Sequence, residues 1–123
     1  MKRILVLGVM CLLLCSCGDK ESNKIEPGKI NCTEMKEIMK NDGNARLIDV
    51  RTVEEYNEGH LDDALNIPVD NISSIQIYDS INFDTPIIVY CRSGNRSAKA
   101  KEELKKLGYL KVYDLGAISN CTN

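Results

Sequence analysis

The sequence predicts a single α/β domain with a mainly parallel central sheet flanked by helices. Its 123 residues leave room for one domain. Residues 87–90 form a continuous apolar run, which is typical of a strand buried on both faces of a parallel sheet. Strand-like and helix-like segments alternate between about residue 30 and residue 115, and this alternation is characteristic of α/β folds.

Capping patterns place the helices. Asn31 with Glu34, and Thr52 with Glu55, form capping-box pairs that predict two helix starts. The first helix should end at the Asp42-Gly43 turn pair, the second at Gly59, and a longer helix is predicted over residues 96–107 before Gly108. Strands are predicted at residues 45–50, 64–67, 87–90 and 112–115, with one weak helix inside residues 69–84.

The N-terminal segment is predicted to be a signal sequence. After Lys2 and Arg3, residues 4–14 are almost entirely apolar, but a helix this short cannot cross a bilayer. Cys17 follows the small residue Ser16 and precedes a polar stretch, as the lipidated cysteine of a bacterial lipoprotein does. The alternatives are an ordinary secreted protein cleaved nearby or a short membrane tail. We therefore divide the chain into a lipoprotein signal peptide (1–16), a lipidated Cys17 with a flexible tether (17–29) and a folded domain (30–123).

The charge and cysteine patterns exclude two classes of function. A formal net charge of −2 and the lack of any basic stripe argue against nucleic-acid binding. The cysteine spacings give no zinc signature, so we expect no metal, and no organic cofactor is indicated.

The segment that carries chemistry lies between the apolar strand and the longest helix. It begins with Cys91 and continues through Arg92, Ser93, Gly94, Asn95, Arg96 and Ser97. Ligands in open α/β sheets bind at the carboxyl ends of strands, and a loop before a helix can turn its N–H groups inward. These groups, helped by the two arginines, should lower the Cys91 pKa and make it a thiolate nucleophile. The alternative is a small buried cysteine at a strand end.

Two stretches, residues 47–68 and 86–109, resemble the signature motifs of the rhodanese family. The resemblance implies a rhodanese-like fold and transfer of sulfur from thiosulfate or a similar small donor to cyanide or a thiol. It implies that Cys91 carries the sulfur as a persulfide, that residues 92–97 cradle it, and that Arg92 faces incoming thiosulfate. Arg96 is five positions after Cys91, whereas related phosphatases have one residue more, so the shorter loop argues against phosphatase activity.

The resemblance also assigns supporting positions. Asp49 and Arg51 match charged positions near the loop, and they either form a stabilising ion-pair set with Glu54 or Glu55 or contact substrate. The single histidine, His60, matches a position that holds a turn, although a general-base role is the alternative.

The C-terminus departs from the family pattern. A tryptophan is usual after the last strand, but Cys121 stands in its place, and the usual terminal helix is missing. This departure affects the packing of the core and one wall of the pocket. Cys121 could form a disulfide with Cys32, could resolve a persulfide on Cys91, or could be incidental.

We therefore interpret the sequence as a monomeric sulfurtransferase of the cell envelope, attached to a membrane by lipid and facing the periplasm or the cell exterior. One rival interpretation is a binding module that keeps the fold without useful turnover. Another is a thiol redox protein that uses Cys91 with Cys121, although the chain has no Cys-x-x-Cys motif.

The anchoring hypothesis predicts that Cys17→Ser blocks lipid attachment, because a hydroxyl cannot take the place of the acylated thiol. The variant should be released from membranes or remain unprocessed, as fractionation and intact mass would show. Cys15→Ser is the matched control and should leave acylation unchanged. A Cys17→Ser protein that is mature, acylated and membrane-bound would rule out this lipidation site.

Overall fold

The computed structural model describes residues 24–122, which form an α/β domain built on one five-stranded parallel sheet. The strands lie in the order β1-β5-β4-β2-β3, so β4 and its two neighbours form the centre of the sheet. The strands are β1 (Gly28–Lys29), β2 (Arg46–Asp49), β3 (Leu65–Asn66), β4 (Ile87–Cys91) and β5 (Val112–Ala117). The helices are α1 (Cys32–Asn41), α2 (Val53–Glu58) and α3 (Asn95–Lys106), with 3-10 segments at Val69–Ile77 and Ile118–Cys121.

Strand β4 is buried on both faces, as its sequence predicted. Ile87 and Val89 pack into the core on the side of α3, whereas Ile88 and Tyr90 pack into the core on the side of α1. Successive side chains of a strand point to opposite faces, so an unbroken apolar run serves both layers at once. This arrangement holds the carboxyl end of β4, where Cys91 stands, in the middle of the domain.

The capping patterns have the predicted effect. Asn31 accepts a hydrogen bond from the Glu34 N–H at 2.8 Å, and Glu34 accepts one from the Asn31 N–H at 3.0 Å. The Thr52 and Glu55 pair does the same at the start of α2. Helix α3 begins at Asn95, one residue earlier than predicted.

Two segments differ from expectation. Part of the predicted tether belongs to the fold, because Gly28–Lys29 pairs with β5 and the Tyr113 hydroxyl donates to the Ile25 carbonyl oxygen at 3.1 Å. The predicted weak helix is a 3-10 segment, Val69–Ile77, that is kinked at Asn71. Residues 1–16, Cys17 and the rest of the tether to residue 23 lie outside the described residues. Among residues 24–122, no helix combines the length and apolar character needed to span a bilayer.

A disulfide fixes the C-terminal segment. Cys32, the first residue of α1, is bonded to Cys121, and their Cα atoms are 5.2 Å apart. The bond joins positions 89 residues apart and holds the turn Ile118–Cys121 against the core on the α1 side. This turn occupies the place where the sequence lacks the expected aromatic residue and terminal helix.

Removing this disulfide should destabilise the domain. A cross-link that closes a loop of this length is expected to contribute about 2 to 4 kcal/mol, because it restricts the unfolded chain. Cys32→Ser, Cys121→Ser and the double variant should each lower the Tm by about 10 °C or more. Thermal unfolding with and without a reductant tests this, and the double variant is the control that reductant should not affect. A wild-type Tm that reductant leaves unchanged would contradict the expectation.

Candidate active site

The candidate site is the loop that follows β4 and leads into α3. Cys91 is the last residue of β4, and its side chain is fully buried. Gly94 has φ 105°, a left-handed conformation that glycine adopts without steric cost, and it turns the chain into the helix. The loop therefore curls over the end of its own strand, and its backbone faces the thiol.

Backbone N–H groups surround the Cys91 sulfur. The N–H of Gly94 donates to Sγ at 2.9 Å, and the N–H of Ser97 donates to it at 3.3 Å. The Ser97 hydroxyl oxygen lies 3.6 Å from Sγ and donates to the Gly94 carbonyl oxygen at 3.1 Å. In the thiol form the S–H can donate to Ser97, whereas a thiolate can accept from that hydroxyl after it rotates. The pocket around Sγ is thus suited to a negatively charged sulfur.

These contacts set the acidity of Cys91. Burial raises the pKa of the thiol, but the Ser97 hydroxyl and the N–H groups of Ser97, Gly94 and Ser93 lower it by more, so the net shift is downward. Hydrogen bonds to the charged form of an acid favour ionisation. The downward shift of the Cys91 pKa thus comes from hydrogen bonds. The sequence analysis had expected the two arginines to contribute as well.

The two arginines of the loop have different environments. Arg96 donates two hydrogen bonds to Glu55, at 2.6 and 2.9 Å, so its charge is already paired. Arg92 is exposed and stands directly after the buried thiol. Of the two, Arg92 therefore has the side chain that is open to an incoming anion.

Glu55 is a site residue that the sequence analysis named only as a possible partner of Asp49 and Arg51. Its carboxylate accepts from Thr52 as part of the α2 cap and from Arg96 at the start of α3. The Arg96 guanidinium is the main reason that the pKa of Glu55 falls to about 2. The capping box was a local signal for Glu55, but nothing local in the sequence indicated a partner 41 residues away.

Asp49 and Arg51 form an ion pair with each other. Both are buried, and the guanidinium of Arg51 donates to Asp49 at 2.7 Å and to the Gly59 carbonyl oxygen at the same distance. Asp49 and Arg51 therefore do take part in an ion pair, but they pair with each other and not with Glu54 or Glu55. The pair joins the end of β2 to the turn after α2, beside the loop.

His60 lies on that turn and is exposed. Its ring stacks on Tyr56 at a centroid distance of 3.7 Å, and Nδ1 is 2.9 Å from the Tyr56 carbonyl oxygen, to which it donates as the Nδ1–H tautomer. The Tyr56 hydroxyl in turn donates to the Ala64 carbonyl oxygen at 2.7 Å. These contacts fit a role in holding the turn.

Comparison with known proteins identifies relatives of this arrangement. A protein-family model described as "Rhodanese-like domain" matches residues 31–119. The thiosulfate sulfurtransferase PspE of Escherichia coli is 33% identical over 73 residues, which cover 59% of this chain and 70% of that protein. The Bacillus subtilis protein YqhL is 38% identical over 71 residues, which cover 58% of this chain and only 55% of that protein.

Two solved structures have the same fold. The human single-domain sulfurtransferase TSTD1 superposes with a TM-score of 0.66 at 26% identity, covering 75% of this chain and 92% of that one. A rhodanese from E. coli, solved with anions, superposes with a TM-score of 0.58 at 32% identity and covers 63% of this chain and 92% of that one.

Ser97→Ala should raise the pKa of Cys91, because it removes the hydroxyl that lowers it. The alkylation rate of Cys91, followed by mass spectrometry across a pH series, should have its midpoint at a higher pH than in the wild type. Ser93→Ala is the matched control, since Ser93 is exposed and contributes through its backbone N–H, which the substitution keeps. Equal midpoints for Ser97→Ala and the wild type would disprove the role of this hydroxyl.

Proposed function

The chain belongs to the rhodanese-like domain family, and on that premise we propose that it is a sulfurtransferase that carries sulfane sulfur on Cys91. The donor is thiosulfate or a similar compound, and the acceptor is thiophilic, such as cyanide or a thiol. The observation that carries this proposal is the set of N–H groups directed at the buried Sγ of Cys91. The relation to a thiosulfate sulfurtransferase at 33% identity supports the same activity.

The proposed reaction has two displacement steps. The Cys91 thiolate attacks the outer sulfur of thiosulfate, the sulfur–sulfur bond of the donor breaks, and sulfite leaves with the bonding electron pair. The acceptor then attacks the outer sulfur of the Cys91 persulfide, and Cys91 leaves as a thiolate. The N–H groups of Gly94 and Ser97 stabilise negative charge on sulfur in each step, so one difficult transfer becomes two easier ones. Exposed Arg92 is proposed to bind the donor's sulfonate oxygens.

Two observations bear on the rival functions. Cys121 is bonded to Cys32, and Cys91 is the only free cysteine among residues 24–122, so a redox cycle between Cys91 and Cys121 has no second thiol in the folded domain. The loop has Arg96 five positions after Cys91, and this short spacing favours one sulfur atom over a tetrahedral phosphoryl group. A sulfurtransferase therefore accounts for the site better than a redox protein or a phosphatase does.

We also propose that the protein functions in the cell envelope, with Cys17 as its lipid anchor. The apolar run before Ser16-Cys17 supports this location. The Cys32–Cys121 disulfide supports it as well, because disulfides form and persist in oxidising compartments.

Thiosulfate should add the mass of one sulfur atom to the peptide that contains Cys91, and cyanide should remove it. Cys91→Ser should abolish both the adduct and the turnover, because a serine hydroxyl is not ionised and cannot hold a sulfane sulfur. Arg92→Ala should raise the KM for thiosulfate about tenfold or more by removing a charge-assisted contact. Steady-state kinetics with two substrates should show a ping-pong pattern.

Cys121→Ser is the control for this experiment and should leave most of the activity at a temperature where the variant is folded. An adduct that persists in Cys91→Ser, or that disappears only in Cys121→Ser, would move the nucleophile away from Cys91. A wild-type protein that takes up no sulfur from any donor would favour the binding module, and efficient hydrolysis of aryl phosphates would favour a phosphatase.

A further inference from the structure

A cavity of about 500 Å³ lies beside the catalytic loop, at the carboxyl ends of β1 and β5. Ligands of open α/β sheets bind at this edge of the sheet. Its polar lining residues are Lys29, Ser93, Asn95, Asp114 and Asn120. We call this space the acceptor cavity.

Asp114 is a buried carboxylate in the wall of this cavity. Its exposure is 4%, and Oδ1 accepts a hydrogen bond from the Gly116 N–H at 2.9 Å. Tyr113 and Leu115, its neighbours on β5, pack on the α1 side, so the Asp114 side chain lies on the α3 side of the sheet, where Ala98 of α3 also lines the cavity. Within residues 24–122 no lysine or arginine forms an ion pair with it. Burying a carboxylate without a counter-charge is costly, and a cationic ligand group would offset that cost.

Lys29 brings a positive charge to the same cavity. It is the Cα partner of Asp114 in the β1–β5 ladder, and Ile30, the next residue, packs on the α1 side. Lys29 therefore lies on the same face of the sheet as Asp114. The side chain is exposed and forms no ion pair among the described residues, so it is free to meet an anion. One cavity thus presents an ammonium and a carboxylate that are not bonded to each other.

The catalytic loop forms another wall of the acceptor cavity. Ser93 and Gly94 line it, and the Gly94 N–H is the donor 2.9 Å from Sγ of Cys91. Sγ itself is buried, but in a persulfide the outer sulfur extends about 2 Å beyond it. The cavity therefore borders the loop residue whose N–H contacts the reactive sulfur.

The C-terminal turn closes the opposite side. Asn120 lines the cavity, and its Nδ2 donates to the Leu115 carbonyl oxygen at 2.8 Å. The next residue, Cys121, is held by the disulfide to Cys32. This wall is fixed covalently, and the amide oxygen of Asn120 remains as a hydrogen-bond acceptor.

We propose that this cavity binds the amino and carboxylate groups of an amino-acid thiol that accepts the sulfur, with Asp114 receiving the ammonium and Lys29 the carboxylate. The proposal rests on the sulfurtransferase function proposed above. The thiolate of the acceptor attacks the outer sulfur of the Cys91 persulfide, the bond to Sγ breaks, and Cys91 leaves as a thiolate. The product is the persulfide of the amino acid, and no oxidant or reductant is needed.

The test measures KM for four acceptors with the full chain in detergent and thiosulfate as donor. L-cysteine carries both an amine and a carboxylate. Of the other acceptors, 3-mercaptopropionate lacks the amine, cysteamine lacks the carboxylate, and cyanide lacks both. Asp114→Asn keeps an acceptor for the Gly116 N–H, and it should raise KM about tenfold for L-cysteine and cysteamine only. Lys29→Met should raise KM for L-cysteine and 3-mercaptopropionate only. Each variant is compared with the wild type for the same acceptor, so differences in thiol acidity cancel.

The controls separate this proposal from the proposed function. Lys111→Gln removes an exposed lysine at the other end of β5 and should change no KM. Wild-type KM should also be lower for L-cysteine than for D-cysteine, whose thiol has the same reactivity, and this comparison needs no variant. Equal KM for the two enantiomers, or a KM increase shared by all four acceptors, would overturn the proposal that this cavity binds the acceptor. Sulfur uptake and cyanide turnover by the wild type would still support the proposed function. A wild-type protein that forms no persulfide would overturn both.

Discussion

The burial of the Cys91 sulfur beneath its own loop is the constraint on which the rest of the site depends. Removing a thiolate from water is unfavourable, so the protein must supply hydrogen-bond donors in place of solvent. The N–H groups of Gly94 and Ser97 do so, because the loop turns at Gly94 and α3 starts directly after it. These donors are part of the backbone, and their position depends on how firmly the loop is held between β4 and α3.

Three sets of contacts hold the loop and the elements beside it. Below it, β4 is buried on both faces and pairs with β2 and β5, so the Cys91 backbone is fixed by the centre of the sheet. Beside it, the Glu55–Arg96 pair joins the start of α2 to the start of α3. The buried Asp49–Arg51 pair ties the end of β2 to the turn after α2. Both ion pairs fix the relative positions of elements that the hydrophobic core alone does not align, although only the Asp49–Arg51 pair is buried and the Glu55–Arg96 pair is partly exposed.

The sequence predicted those features that depend on local patterns. The structure has the capping boxes at Asn31 and Thr52 and the buried strand around Val89 within one or two residues of their predicted positions. These features were predictable because each signal lies within a few neighbouring residues of the sequence. The two-residue strand β1 was missed, since it is too short for any periodicity and exists only because β5 has an edge to pair with. The Glu55–Arg96 contact was beyond prediction. The Cys32–Cys121 disulfide was one of three alternatives for Cys121, and the sequence alone did not choose among them. Both join residues that only the folded chain brings together. The chemical roles of the loop residues stay predictions.

The bond between Cys32 and Cys121 makes almost the whole folded domain a covalent ring, since the two residues stand at the first turn of α1 and the last turn of the chain that the structure describes. A protease that cuts one peptide bond inside a ring opens it without producing two separate pieces. Exposed segments such as the one around Ile77 are the places where such a cut is easiest. A nicked molecule would keep β4, its loop and α3 attached to whatever lies upstream of Cys32. A first cleavage inside the ring therefore leaves every part of the domain covalently joined.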